Sequence, residues 1–250
     1  MPSLESAPSL RTVKAVSEVL PTVVLVGLWD THSKNIRNVG SGFVVDKKLG
    51  LIVTAGHILF NMKEGREFGS PYYGLQDAKV VIGVIPDGND GHDAVFRYFA
   101  DIVAEDIHNV DACVLRITTR LVEDVNDVSS CADQAEMVIE DMPKEQLKAL
   151  KITGKVEIEE SVRILGFNQG GEGVFEQGKH VNRSADFARG YVVKKFRPSF
   201  DDDDDDSSSH SSDSSSQFTF SPREEIVIMC PTISGHSGGP CVNDDGKVVG

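Results

Sequence analysis

Leu10, Val13, Val16 and Leu20 recur at the three- and four-residue spacing of one helix face, with Ser9 placed to cap its start and Pro21 to stop it. Beyond Pro21 the period changes. Short runs rich in β-branched and aromatic residues occupy Thr22–Trp29, Gly42–Val45, Leu51–Thr54, Lys79–Ile85, Ala94–Tyr98 and Val110–Ile117. Further runs follow at Ser161–Phe167, Gly190–Phe196, Glu225–Cys230 and Lys247–Val249, with Gly, Asn and Asp between them. Short strands punctuated in this way predict an all-β sandwich or barrel. One more helix is expected from near Asp141, with Pro143 in its first turn and Leu147 and Leu150 on one face. It falls between two groups of strands, so the chain divides into a helical segment (1–21), a β unit (22–120), a connector (121–160) and a second β unit (161–250).

Residues 201–216 break the pattern. Seven Asp, eight Ser and one His leave nothing apolar to bury, so the segment reads as a disordered, solvated insert between two strands. Its aspartates supply half of the net charge of −14. An acidic balance with no basic cluster argues against nucleic acid, whose phosphates need grouped Lys and Arg. The longest apolar run, Val23–Trp29, is far short of the roughly 20 residues that cross a bilayer, and Met1–Ser9 lacks a basic signal-like start. An intracellular, cytoplasmic setting without membrane attachment is expected. Cys113, Cys131, Cys230 and Cys241 are too widely spaced for a zinc site and read as reduced thiols. Whether Cys230 and Cys241 approach each other is open.

Candidate chemistry sits in three stretches. In Ser234-Gly235-His236-Ser237-Gly238-Gly239-Pro240, glycines on either side let the backbone turn sharply and present the Ser237 hydroxyl. The same turn frees the Gly235 and Ser237 amides to face a developing oxyanion. These letters also satisfy the nucleophile-elbow pattern of α/β-hydrolases, in which the acid and the histidine follow the serine. Only thirteen residues follow Ser237 and none is histidine, while Gly238, Gly239 and Pro240 oppose the helix an elbow requires. The remaining order is His, Asp, Ser. His57 follows a buried strand and a small-residue turn in Val53-Thr54-Ala55-Gly56-His57, and Asp111 opens the apolar strand Asp111-Ala112-Cys113-Val114-Leu115. A carboxylate next to a core needs a partner, and His57 is the natural one.

Together G-S-G-F-V-V-D, V-T-A-G-H, D-A-C-V-L-R and S-G-H-S-G-G-P resemble the signature stretches of chymotrypsin-fold serine proteases, the HtrA-type branch most of all. The resemblance runs from about Thr22 to Gly250. It implies two antiparallel six-stranded β-barrels with a site in the cleft between them, the second barrel truncated at the C-terminus. It also implies a serine endopeptidase in which Ser237 is the nucleophile, His57 the proton carrier and Asp111 the residue that orients His57. Gly235 and Ser237 would form the oxyanion hole, and neither metal nor organic cofactor would be needed. His236 departs from the family, which commonly has Asp or Asn there. Pro231, Thr232 and Ile233 lie where the substrate pocket is expected; without a carboxylate among them, small or medium apolar side chains are favoured over Lys or Arg. Polypeptide substrates are the expected partners; homo-oligomerisation is open, and the 201–216 tract could contact a basic partner. The alternative is a catalytically silent module or fragment that serves as a protein-binding scaffold through this acidic loop.

Overall fold

In Val23–Asp30 (β1) both faces of the strand are buried from Val23 to Trp29, which is why that stretch carries no polar side chain. Val24, Val26 and Leu28 point into one core, while Val23, Leu25 and Trp29 point into another. The computed structural model describes residues 16–30, 35–59, 78–86, 94–107, 110–120, 147–153, 155–167, 185–196, 225–232 and 234–250. Besides β1, its strands are Asn35–Asp46 (β2), Leu51–Ala55 (β3), Ala78–Val84 (β4), Val95–Asp106 (β5) and Ala112–Arg120 (β6). Those after the connector are Ser161–Phe167 (β7), Ala185–Phe196 (β8), Glu225–Met229 (β9) and Cys241–Asn243 (β10).

The first six strands pair antiparallel and close a barrel in the order β1-β2-β3-β6-β5-β4, with β1 returning to β4. Its interior holds Val24, Val26, Ile52, Ile82, Tyr98, Cys113, Leu115 and Ile117, all essentially inaccessible to solvent. Each such aliphatic side chain contributes about 1.5–3 kcal/mol by burial. The last four strands form an antiparallel sheet in the order β10-β7-β8-β9. The architecture is therefore mostly β, a chymotrypsin fold whose second barrel is incomplete among the described residues.

Strand alternation joins the two units. On β7, Val162 and Ile164 face a small core with Val192, Cys241 and Val249, whereas Leu165 and Phe167 face the core shared with β1, Phe43 and Val81. Val16, Val19 and Leu20 seal this shared core, with helical Val16–Val19 running into a 3₁₀ turn at Leu20–Thr22. The earlier part of the expected helix lies outside the described residues.

Several elements differ from expectation. Leu147–Leu150 are not helical. Leu147 instead enters the first barrel's core and the Leu150 amide donates to Val44 O at 2.9 Å, so tertiary contacts displace the local helical preference. The rest of that expected helix, the acidic tract and Cys131 lie outside the described residues. Lys247–Val249 forms only isolated bridges, from Val248 to Ile152 and to Val242. The β10 strand was not anticipated, because three residues between prolyl and glycyl turns carry little periodicity.

Candidate active site

The β3–β6 register brings the first two candidate residues together. Ala55 lies opposite Ala112, so the residues just beyond them, Gly56 and Asp111, meet at the barrel rim. There the Gly56 amide donates to Asp111 O at 2.9 Å, and the His57 amide donates to Asp111 Oδ1 at 2.7 Å. The other carboxylate oxygen, Oδ2, lies 2.6 Å from His57 Nδ1. An ionised carboxylate only accepts, so the shared proton belongs to Nδ1, and in the neutral ring this leaves the lone pair on Nε2. Asp111 adopts φ 49°, in the left-handed region that Asp tolerates better than most residues. This is also why β6 starts at Ala112 and not at Val110. Both side chains are partly open to solvent, His57 at 44% and Asp111 at 43%.

Ser237 lies in the loop between β9 and β10. Gly235 at φ 101° and Gly238 at φ 79° supply the left-handed conformations that a side chain would resist. Gly238 is also pressed against Ser41 O, Thr54 Oγ1 and the Ala55 nitrogen, leaving no space for a Cβ. The serine is thus docked onto the end of β3, two residues before His57. Neither the Gly235 nor the Ser237 amide donates to a protein acceptor among the described residues. No hydrogen bond among these residues joins the Ser237 hydroxyl to His57.

Ser41, to which the sequence reading assigned no role, ties this loop to the first barrel. Its amide donates to Ser237 O at 2.9 Å. Its hydroxyl donates to Gly235 O at 2.6 Å and accepts from the Phe167 amide at 2.8 Å. Thr54 Oγ1 in turn donates to Ser41 O at 2.7 Å. Ser41 is wholly buried, so every polar group it carries is used within the protein. Asp186 on β8 is a second residue the sequence reading missed; it pairs with His236 Nε2. Ser41 falls inside the G-S-G-F-V-V-D stretch, but nothing local discloses its role and no local pattern marks Asp186, since each acts on partners far away in the chain.

Of the expected substrate-pocket residues, Pro231 lines an open cavity of about 820 Å³ together with Glu159, Arg189, Tyr191 and Met229. Thr232 is exposed, with its amide donating to Cys230 O at 2.9 Å, and Ile233 lies outside the described residues. Cys113, Cys230 and Cys241 are free thiols. Burial pushes Cys113 and Cys241 up to about 12, and it raises Cys230 as well. No group of three or more His, Cys, Asp or Glu among the described residues could hold a metal ion.

This rim geometry and barrel order define the class of protein, a chymotrypsin-type fold. Residues 40–250 match the trypsin-like peptidase domain, and the chain belongs to that family. Among solved structures, Deg5 is similar at TM-score 0.56 and 19% identity, over 96% of this chain and 82% of that one. The Rv3671c protease in its inactive form is similar at TM-score 0.51 and 15% identity, covering 100% of this chain and 86% of its own. An inactive serine-to-alanine mutant of Rv3671c from M. tuberculosis H37Rv gives TM-score 0.51 and 17% identity, with 100% and 82% covered. No curated protein sequence matches the chain.

Proposed function

We propose that the chain is a serine endopeptidase that cleaves polypeptides through an acyl-enzyme intermediate. The observation that carries this reading is the His57–Asp111 pair at 2.6 Å, on the same strand end that receives the Ser237 loop. Ser237 Oγ attacks the scissile carbonyl carbon while His57 Nε2 takes its proton, and the imidazolium then delivers that proton to the departing amine. Asp111 holds the proton on Nδ1 and stabilises the charged ring. As the carbonyl oxygen becomes an oxyanion, the Gly235 and Ser237 amides donate to it; one such donor is worth about 3 kcal/mol of barrier. Water repeats the sequence on the acyl-enzyme, and no metal or organic cofactor enters.

That no hydrogen bond joins the Ser237 hydroxyl to His57 among the described residues favours a second reading, a silent barrel that binds proteins through its acidic insert. Covalent labelling with a fluorophosphonate, read by intact mass, separates the two. A single adduct on the wild type and none on Ser237→Ala supports the peptidase. A folded wild type that takes no label supports the scaffold.

A further inference from the structure

We propose that His236 and Asp186 form a positioning pair that clamps the nucleophile loop to the second sheet and so keeps the Gly235 and Ser237 amides aimed at one point. The proposal rests on the peptidase reading above and goes beyond the three residues that carry its chemistry.

His236 stands between the two amides in question. The carbonyls on either side of it, Gly235 O and Ser237 O, are both held by Ser41 of the first barrel. Its side chain is held from the other unit, where Nε2–H donates to Asp186 Oδ1 on β8. Anchors thus alternate along three consecutive residues: first barrel, second sheet, first barrel. A loop fixed on one side only could pivot about that side, and a second anchor on the opposite unit removes the pivot.

The local fold is shaped for this contact. Asp186 pairs in register with Gly166 on β7. A Cβ on Gly166 would lie 2.9 Å from His236 Cα and 3.0 Å from its Cδ2, so the bare backbone there lets the imidazole cross β7 and reach β8. The ring is buried, at 4% exposure, and its Nδ1 has no hydrogen-bond partner among the described residues. The bond to Asp186 is therefore the ring's one polar tie among the described residues. Without it both ring nitrogens would be buried unpaired, a cost that moving the loop would relieve. The Gly239 amide donates to His236 O at 2.9 Å, so a displaced His236 carries the turn with it. Nε2–H is present in both the imidazolium and one neutral tautomer, and the anchor needs no change of charge.

The test compares wild type, Asp186→Ala and Asp186→Asn. Its readouts are kcat and KM for a nitrophenyl ester, the fluorophosphonate labelling rate, and amide exchange of the 231–240 segment. Asn retains an oxygen that accepts from Nε2–H, so it is the rescuing variant. Asp186→Ala is expected to lower kcat about tenfold or more with KM changed less than about twofold, because amides that serve the transition state are displaced. It should speed exchange in 231–240, and Asp186→Asn should recover most of both effects. Wild-type kcat and exchange in Asp186→Ala, or no rescue by Asn, would overturn the proposal. If Asp186→Ala does not fold, Asp186→Ser makes the same comparison. If the wild type takes no label, the peptidase reading fails and the exchange arm decides the anchor alone: faster exchange restored by Asn upholds it, and unchanged exchange sinks it.

Discussion

Replacing Ser41 with Ala removes one oxygen that serves two partners. The hydroxyl donates to Gly235 O at 2.6 Å and accepts from the Phe167 amide at 2.8 Å, at a position with no solvent exposure. Ala restores neither bond. Two backbone groups are left unpaired, each costing about 1–3 kcal/mol, so the expected loss of stability is about 2–6 kcal/mol. A domain of this size shifts its melting midpoint by about 2–4 °C per kcal/mol, so Tm should fall by roughly 4–24 °C. The function should suffer separately. Gly235 O belongs to the peptide next to one proposed oxyanion donor, and freeing it should slow fluorophosphonate labelling by about tenfold or more at temperatures where the variant is still folded. Urea unfolding and labelling kinetics on one preparation check both parts. Ser41→Ala that unfolds within about 0.5 kcal/mol of wild type and labels at the same rate would refute the reasoning, because a surface substitution does no more than that.

Three further outcomes follow from the geometry. In Asp111→Asn the side chain keeps one acceptor where two are used, by the His57 amide at 2.7 Å and by Nδ1 at 2.6 Å; the imidazole should change tautomer and ester hydrolysis at neutral pH fall on the order of 10⁴-fold, with the circular-dichroism melt little changed. Gly238→Ala would place a methyl against Ser41 O, 2.5 Å from Thr54 Oγ1 and 2.7 Å from the Ala55 nitrogen, at φ 79°; it should cost about 3 kcal/mol or more in urea unfolding. Cys113 and Cys241 are raised from 9.0 to about 12 in the folded chain. Between those values the unfolded thiols ionise while the folded ones do not, so stability complete below pH 9 should be lost as pH rises toward 12, at up to about 1.4 kcal/mol per pH unit for each thiol. Replacing both by Ala should flatten that part of the stability–pH profile.

Strand runs were readable wherever burial imposes alternation. Val162 and Ile164 face one core and Leu165 and Phe167 another, so Ser161–Phe167 coincides with β7 from end to end. The pattern was silent where burial is not the cause. Half of β5, Asp101–Asp106, is solvent-exposed and owes its strand conformation to pairing with β6. Leu147 and Leu150 show the opposite error: two leucines three apart suit a helix face, yet one fills a barrel and the other hydrogen-bonds to β2. Spacing alone cannot distinguish a helix face from two separate docking points.

The candidate site divides along the same line. His57, Asp111 and Ser237 were legible because each lies in a short stretch whose neighbours make sense only around it: small residues before His57, a core strand after Asp111, glycines flanking Ser237. Ser41 and Asp186 were not. Their importance comes from polar groups that need partners, and those partners are 194 residues away for Ser41 and 50 for Asp186. Such obligations become visible only when folding buries the Gly235 carbonyl and the His236 ring together. Motifs therefore disclose the groups proposed to do chemistry, whereas the groups that aim them are disclosed by accounting for every buried donor and acceptor around the loop. That accounting leads to Ser41 from one unit and Asp186 from the other. A loop held by both units should respond to a change in either anchor before His57 and Asp111 are disturbed, since neither of those residues bonds to it among the described residues.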